Sequence, residues 1–284
     1  MNTLQLLAIG LGLAGYYALV AVGFALIFAT LRIFHIAHGT VFITGGYVFF
    51  GLYRLAGWNL VASGAIAIAV AAVVGLAIDK FIYKPVLRRG GGLFSVFIAS
   101  LGIALVFEAF YLVFTKGVVS VARTDSMLVF NAGPVAVRSI DLFVLALVAV
   151  VYALLYVWLH RTSVGLEVRG LTDNAPLASV VGVDTERTRK HIFLLASTLA
   201  GAAGVLSAYD MGINPDSGTR TLFIAVVAVI LGGVRNILLG SIVGSIALGV
   251  LTAFAGFYFP EWVTFAVFLM MIVLILFRPQ GLFG

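Results

Sequence analysis

The chain has 284 residues, of which 63% are hydrophobic and only 10% charged, with no cysteine and a formal net charge of +6. Soluble domains carry about 25% charged residues, so a chain with mean hydropathy +1.19 cannot clothe itself in a water-facing surface. The composition excludes disulfide frameworks, thiolate nucleophiles and iron–sulfur sites. It also turns the positive balance into a signal of membrane orientation rather than of nucleic-acid binding.

No charge appears between Met1 and Leu31. Apolar runs of about 20 residues are what a bilayer core demands, so 4–30 reads as the first span. It lacks a basic leading region and an obvious small-residue cleavage site, and is read as retained. The apolar text then breaks at "RIFHIAHGT", residues 32–40. Irregular backbone at membrane depth is tolerated only inside protein or along a cavity, and transporters place such breaks near the midplane, where freed backbone groups meet substrate. His35, His38, Gly39 and Thr40 are therefore candidates for the lining of a path. Their rival role is structural, each histidine hydrogen-bonded between helices. An H-x-x-H pair can present two imidazoles on one helical face, but two histidines without cysteine do not complete a zinc sphere. No metal is assigned.

Spans at 39–55 and 59–79 follow, then "KFIYKPVLRRGGG" at 80–92, expected to be a flexible basic turn. The next span, 93–115, contains a lone carboxylate, Glu108. A charge within a span costs about 2.5–3.5 kcal/mol on insertion scales, which makes Glu108 a functional candidate. The stretch 116–141 has hairpin chemistry around "NAGP" without a firm assignment, and leads into a span at 142–160.

The segment 161–190, "RTSVGLEVRGLTDNAPLASVVGVDTERTRK", is the longest charged stretch. Thr172 or Asp173 can cap a short helix whose first turn holds Pro176. Leu177, Val180 and Val181 then share one apolar face, and Gly182 stands where a helix C-terminus favours glycine. That face lies on the membrane surface, packs under the bundle, or docks a soluble partner helix-in-groove; the last is favoured. Beyond a span at 191–208, the segment 221–234 is short, about 21 Å as a helix, and suits a half-helix. A second break, "GGVRNILLGS", sets Arg235 and Asn236 ahead of Gly240 and Ser241, a faint echo of the first. Arg235, Asn236 and Gly240 join the candidate path residues, although small-residue packing writes similar text. Spans at 237–256 and 263–277 complete the chain.

The expected fold is thus an all-α polytopic membrane protein of about 8–9 transmembrane segments, with broken or half helices near the midplane. With the N-terminus outside and nine crossings, 12 Lys and Arg residues fall inside and 5 outside, which fits the positive-inside rule.

The pieces "YYALVAVGFALIF", "IFHIAHGTVFITGGYV", "TDNAPLASVVGVD" and "RPQGLFG" together resemble the LivH-type permeases of branched-chain amino-acid ABC importers, from about residue 5 to the C-terminus. That family usually reads N-F-A-H-G at the first break, where this chain has His35, and often carries an amide at the position of Glu108. The resemblance implies one transmembrane permease domain over 1–284 with a cytoplasmic coupling loop at 161–190, in a bacterial or archaeal inner membrane. The coupling helix onto the ATPase would comprise Asp173, Leu177, Ala178, Val180, Val181 and Gly182. A paralogous LivM-like permease, two cytoplasmic ATPases and an extracytoplasmic binding protein are the implied partners. No G-x-x-x-x-G-K-[ST] occurs here, so no cofactor is assigned to this chain and ATP falls to the partner subunits. Urea, short amides or aromatic acids are alternative cargoes of related permeases. A secondary transporter coupled through Glu108 is the rival class. A membrane enzyme is disfavoured, because no nucleophile elbow, paired carboxylates or metal-ligand set is seen.

Overall fold

The computed structural model describes residues 2–118, 121–122, 128–278 and 281–282. Helices follow the apolar text segment by segment: α1 (Thr3–Leu31), α2 (His38–Phe50), α3 (Leu60–Ile78), α4 (Lys84–Arg88), α5 (Leu93–Thr115), α6 (Ser139–Arg161), α7 (Ser163–Val180), α8 (Thr185–Asp210), α9 (Ser217–Gly232), α10 (Ile237–Tyr258) and α11 (Val263–Phe277). Among the described residues six stretches are long and apolar enough to cross a membrane: α1, Leu60–Arg88, α5, α6, α8 and α10. This is a helical, multi-pass membrane protein. The shorter apolar helices include α9, at 16 residues.

Several boundaries differ from the sequence expectation for identifiable reasons. The basic stretch 80–92 is mostly helical: α3 runs on through a π-helical turn, Asp79–Tyr83, into α4. Pro85 is accepted there because the first turn of a helix needs no N–H from it. Only Arg89–Gly92 leave the helix. The segment 161–190 is likewise helical, since Thr162 restarts the chain by accepting a bond from the Gly165 N–H at 3.0 Å. Around "NAGP" the hairpin is real: strands β1 (Val129–Ala132) and β2 (Val135–Arg138) pair antiparallel, with Ala132 opposite Val135 across a Gly133-Pro134 turn.

The chain divides into two compact units. One comprises Met1–Ala25, Thr124–Tyr156 and Phe223–Gly284. In it the Gln5 amide clamps the second hairpin strand, donating to the Ala136 carbonyl at 2.9 Å and accepting from its N–H at 2.7 Å. Arg138 grips the buried Asp141 with two bonds of 2.9 and 2.6 Å. Tyr152 donates to the Ala18 carbonyl at 3.1 Å and lies 2.9 Å from the Ser241 hydroxyl.

The other unit comprises Leu26–Arg123 and Val157–Leu222. Its centre is the packing of α2 and α3 on α8. Small residues let the backbones meet: a Cβ at Gly45 would stand 2.7 Å from the Gly201 carbonyl oxygen. Close backbone approach is how apolar helices associate where water does not drive them together.

Candidate functional site

The first break is short and fully ordered by contacts. Helix α1 stops because Arg32 takes φ +56°, a left-handed conformation that a non-glycine residue adopts only at some cost. Residues 33–37 cross to α2, which begins at His38 and is continuous. The irregularity therefore covers 32–37, and His38, Gly39 and Thr40 of the expected break already lie in α2. Ile33, His35, Ile36, Ala37 and His38 are all buried, so each polar group there needs a partner inside the protein.

Those partners come from distant segments. His35 Nδ1 lies 2.7 Å from the Tyr83 hydroxyl. Tyr83 donates to Ser100 Oγ at 2.6 Å, and the same oxygen accepts the Ala37 N–H at 2.8 Å. With the tyrosine proton committed to Ser100, the histidine must be the donor to Tyr83, which places a proton on Nδ1; its Nε2 is buried with no hydrogen-bond partner among the described residues. The His35 ring stands edge-on to His38, Tyr83 and Phe193, at 5.5, 5.5 and 5.4 Å. Arg189 lies over the Phe193 ring at 5.5 Å and binds Asp79 Oδ1 through two nitrogens at 2.5 and 2.7 Å. Asp79 is 2% exposed, so this ion pair is buried and both charges depend on each other. The ion pair reaches the break through an aromatic ring: Phe193, beneath Arg189, meets Tyr83 at 6.0 Å and His35 at 5.4 Å.

The remaining path candidates of this unit, Gly39, Thr40 and Glu108, fall in separate contacts. Gly39 touches the start of α9: a Cβ there would be 2.5 Å from the Gly218 carbonyl oxygen. Thr40 is buried. Glu108 on α5 accepts a bond from Thr219 Oγ1 at 2.9 Å, so its carboxylate is held by a helix partner. Arg235, Asn236 and Gly240 belong to the other unit. There Asn236 caps α10, accepting from the Leu239 N–H at 3.1 Å, Arg235 is exposed, and Gly240 is buried. The second break is confined to 233–236, and α10 continues unbroken to Tyr258.

The short helix expected in this segment exists, and its cap lies one or two residues beyond the expected Thr172 or Asp173. Within α7 the chain kinks at Asn174, φ −154° and ψ 92°. Asn174 is the cap, accepting the Leu177 N–H at 3.0 Å; Asp173 lies in the preceding turn, exposed, and Thr172 instead returns its hydroxyl to the Val168 carbonyl at 2.9 Å. Thr, Asp and Asn cap about equally well, so propensity could not choose among three in a row. At the other end Gly182 takes φ +91°. Its N–H bonds the Ser179 carbonyl at 3.2 Å, while the Val183 N–H bonds that of Ala178 at 3.0 Å. This pair of bonds is a Schellman motif. Ala178 is buried beneath the helix, whereas Leu177, Val180 and Val181 are 58%, 83% and 72% exposed. Thr188 ties the base of α7 to α8 by donating to Glu167 at 2.5 Å.

Sequence reading missed Asp79, Tyr83, Ser100 and Arg189 altogether. The carboxylate of Asp79 at the end of an apolar run was the available signal, since an acid in such a place needs a partner. Among the described residues no three His, Cys, Asp or Glu side chains converge as metal ligands. The "RPQGLFG" ending lies partly outside the described residues, at Pro279, Gln280, Phe283 and Gly284.

Comparison with known proteins places this geometry. A family profile described as "Branched-chain amino acid transport system / permease component" matches residues 6–276. The high-affinity branched-chain amino acid transport system permease protein LivH of Escherichia coli (strain K12) is 28% identical, with 99% of this chain and 95% of the relative covered. BraD, a permease protein of the same description from Pseudomonas aeruginosa, is 26% identical with the same coverage. A probable LivH of Methanocaldococcus jannaschii is 28% identical over 94% of this chain and 88% of its own. Among solved structures, PsaBC from Streptococcus pneumoniae in complex with Fab shares the fold, with TM-score 0.51, 12% identity, and 98% and 91% of the two chains covered.

Proposed function

The chain belongs to the branched-chain amino acid transport permease family, and from that premise we propose that it is the membrane-spanning subunit of an ATP-driven importer for branched-chain or related hydrophobic amino acids. The names borne by the LivH and BraD relatives support that cargo. The two compact units act as one permease domain with about 8–9 crossings, the shorter apolar helices completing the six long ones, in a cytoplasmic membrane. A LivM-like second permease, two ATPases that bind the nucleotide and an extracytoplasmic binding protein complete the machine. The chain itself performs no covalent chemistry.

One observation carries this reading: a helical turn between Asn174 and Gly182, capped at both ends, holds Leu177, Val180 and Val181 out of the protein. Three large apolar side chains presented on a rigid helix fit a helix-in-groove contact. Movement of an ATPase groove would pull on this helix. The Thr188–Glu167 bond passes the pull to α8, and Phe193 of α8, beneath Arg189 and against Tyr83 and His35, carries it to the break. His35, His38, Gly39, Thr40 and Glu108 of one unit, and Arg235, Asn236 and Gly240 of the other, are the proposed path residues.

The test is affinity capture of the solubilised chain from its native membrane. The wild type should bring down Walker-motif ATPases and a second permease. Gly182→Trp should lose the ATPases at least tenfold while eluting normally, because the site has open space for a side chain and a non-glycine residue in a left-handed conformation costs only about 1–2 kcal/mol. Uptake by this chain alone without ATP, abolished in Glu108→Gln, would overturn the importer in favour of ion coupling.

A further inference from the structure

We propose that a groove where the third span ends, between the Asp79–Arg88 segment and the start of α8, binds the phosphate of an anionic phospholipid, with Lys80 and Lys190 as its cations and Phe81 beside an acyl chain. The inference stands on the membrane location of the chain and is independent of its cargo.

The groove has a volume of about 480 Å³ and is walled by Lys80, Phe81, Lys84 and Arg88 on one side and by Glu186 and Lys190 on the other. Its acids are already neutralised. Asp79 is bound by Arg189, and Glu186 by Lys84, with Arg88 a distant 4.0 Å away. Lys80 and Lys190 have no ion pair among the described residues, and Arg88 is 76% exposed. The site therefore presents surplus positive charge in a concavity at the end of a span, which is where lipid phosphates are recognised.

The second feature is apolar. Only 33% of the most hydrophobic stretch of Leu60–Arg88 is buried, and Val73 and Phe81 are 64% and 67% exposed. An exposed hydrocarbon surface thus leads up the helix to the cations. The Lys80 ammonium lies 5.1 Å from the Phe81 ring centre, as expected of a lysine whose stem rests on apolar surface while its head reaches for charge. A free phosphate ion would use the cations alone. A diacyl phospholipid uses both halves of the site.

The experiment is lipid titration of the purified full-length chain in mild detergent, read by mass spectrometry of intact complexes. Phosphatidylglycerol and phosphatidylcholine with identical acyl chains are compared on the wild type, on Lys80→Gln with Lys190→Gln, and on the remote control Arg54→Gln with Lys116→Gln. The wild type should prefer phosphatidylglycerol. The Lys80/Lys190 variant should lose roughly 25-fold in affinity, about fivefold per cation, while the control keeps wild-type affinity. Phe81→Gln should weaken the lipid without changing any binding of inorganic phosphate, and all variants should elute as the wild type does. Equal binding of the two lipids, or equal losses in both double variants, overturns the proposal. Displacement of the lipid by millimolar inorganic phosphate assigns the cations to a soluble anion and overturns the lipid. Unchanged phosphatidylglycerol binding alongside lost ATPase capture assigns the groove to a protein contact and overturns it too.

Discussion

The two breaks share their wording, an arginine followed by polar residues and then a small one, and share a left-handed residue at the turn, Arg32 with φ +56° in one and Gly233 with φ +96° in the other. They are solved by opposite means. The polar side chains of the second are settled within a few residues: Arg235 and Asn236 are exposed and Asn236 caps the helix that follows, while one remote backbone bond, from the Leu282 N–H to the Leu231 carbonyl at 2.9 Å, flanks it. The first has local turn bonds as well, but its buried polar groups are met by residues brought from far along the chain, Tyr83 and Ser100 directly and the Asp79–Arg189 pair behind Phe193. Local repair makes a helix boundary. Remote repair makes a junction whose geometry depends on three other helices, and that is the kind of element a moving partner can act upon.

Asp79→Asn should break this contrast most severely. It leaves the guanidinium of Arg189 largely buried, with 13% of its side chain exposed, and with no compensating charge. Removing one partner of a buried pair costs about 3–5 kcal/mol. The expected result is a large fall in the thermal midpoint of the solubilised chain, partly restored when Asp79→Leu is combined with Arg189→Met. An Asp79→Asn protein as stable as the wild type would mean that the pair is solvated and does not support the first break.

Tyr83→Phe is a smaller and more local probe. It deletes one hydroxyl, with no new volume, and strands the Nδ1 donor of His35 in a site where the ring is 0% exposed. An unsatisfied buried donor costs about 1–3 kcal/mol. Stability should fall by about 2 kcal/mol, and nitrogen chemical shifts of His35 should lose the signature of a fixed Nδ1–H. Unchanged shifts would show that Ser100 and Tyr83 do not set the tautomer.

The contrast also explains what could be read from the text. Every apolar run became a helix because hydropathy depends on composition within a window, and each glycine or capping residue acts on its immediate neighbours. Gly182 was legible as a helix end for that reason, whereas the hairpin chemistry around Gly133-Pro134 was visible without a firm assignment. What stayed hidden was pairing across distance: Tyr83 meets His35 over 48 positions, and Arg189 meets Asp79 over 110. A single sequence holds no register between such segments. The continuation of α3 to Arg88 was hidden differently, since a lysine-rich ending and three glycines resemble a loop, whereas Lys80, Lys84 and Arg88 sit one turn apart with their stems along the helix.

Asn236→Ala is the mildest test and the one that isolates the second break. Among the described residues, the one bond it removes is from the Leu239 N–H, 3.1 Å away, in a position reached by solvent. Loss of such a cap costs about 1 kcal/mol, and water can recover part of it because the freed N–H is not sealed in. Asn236→Ser, which keeps a side-chain acceptor, should behave as the wild type. Combined with Tyr83→Phe, the alanine change should add its increment without coupling, because separate sites with no shared partners are additive within about 0.5 kcal/mol. A coupling well above that would mean that the second break is not a local cap but is strained together with the first, and the distinction between the two would then be one of exposure alone.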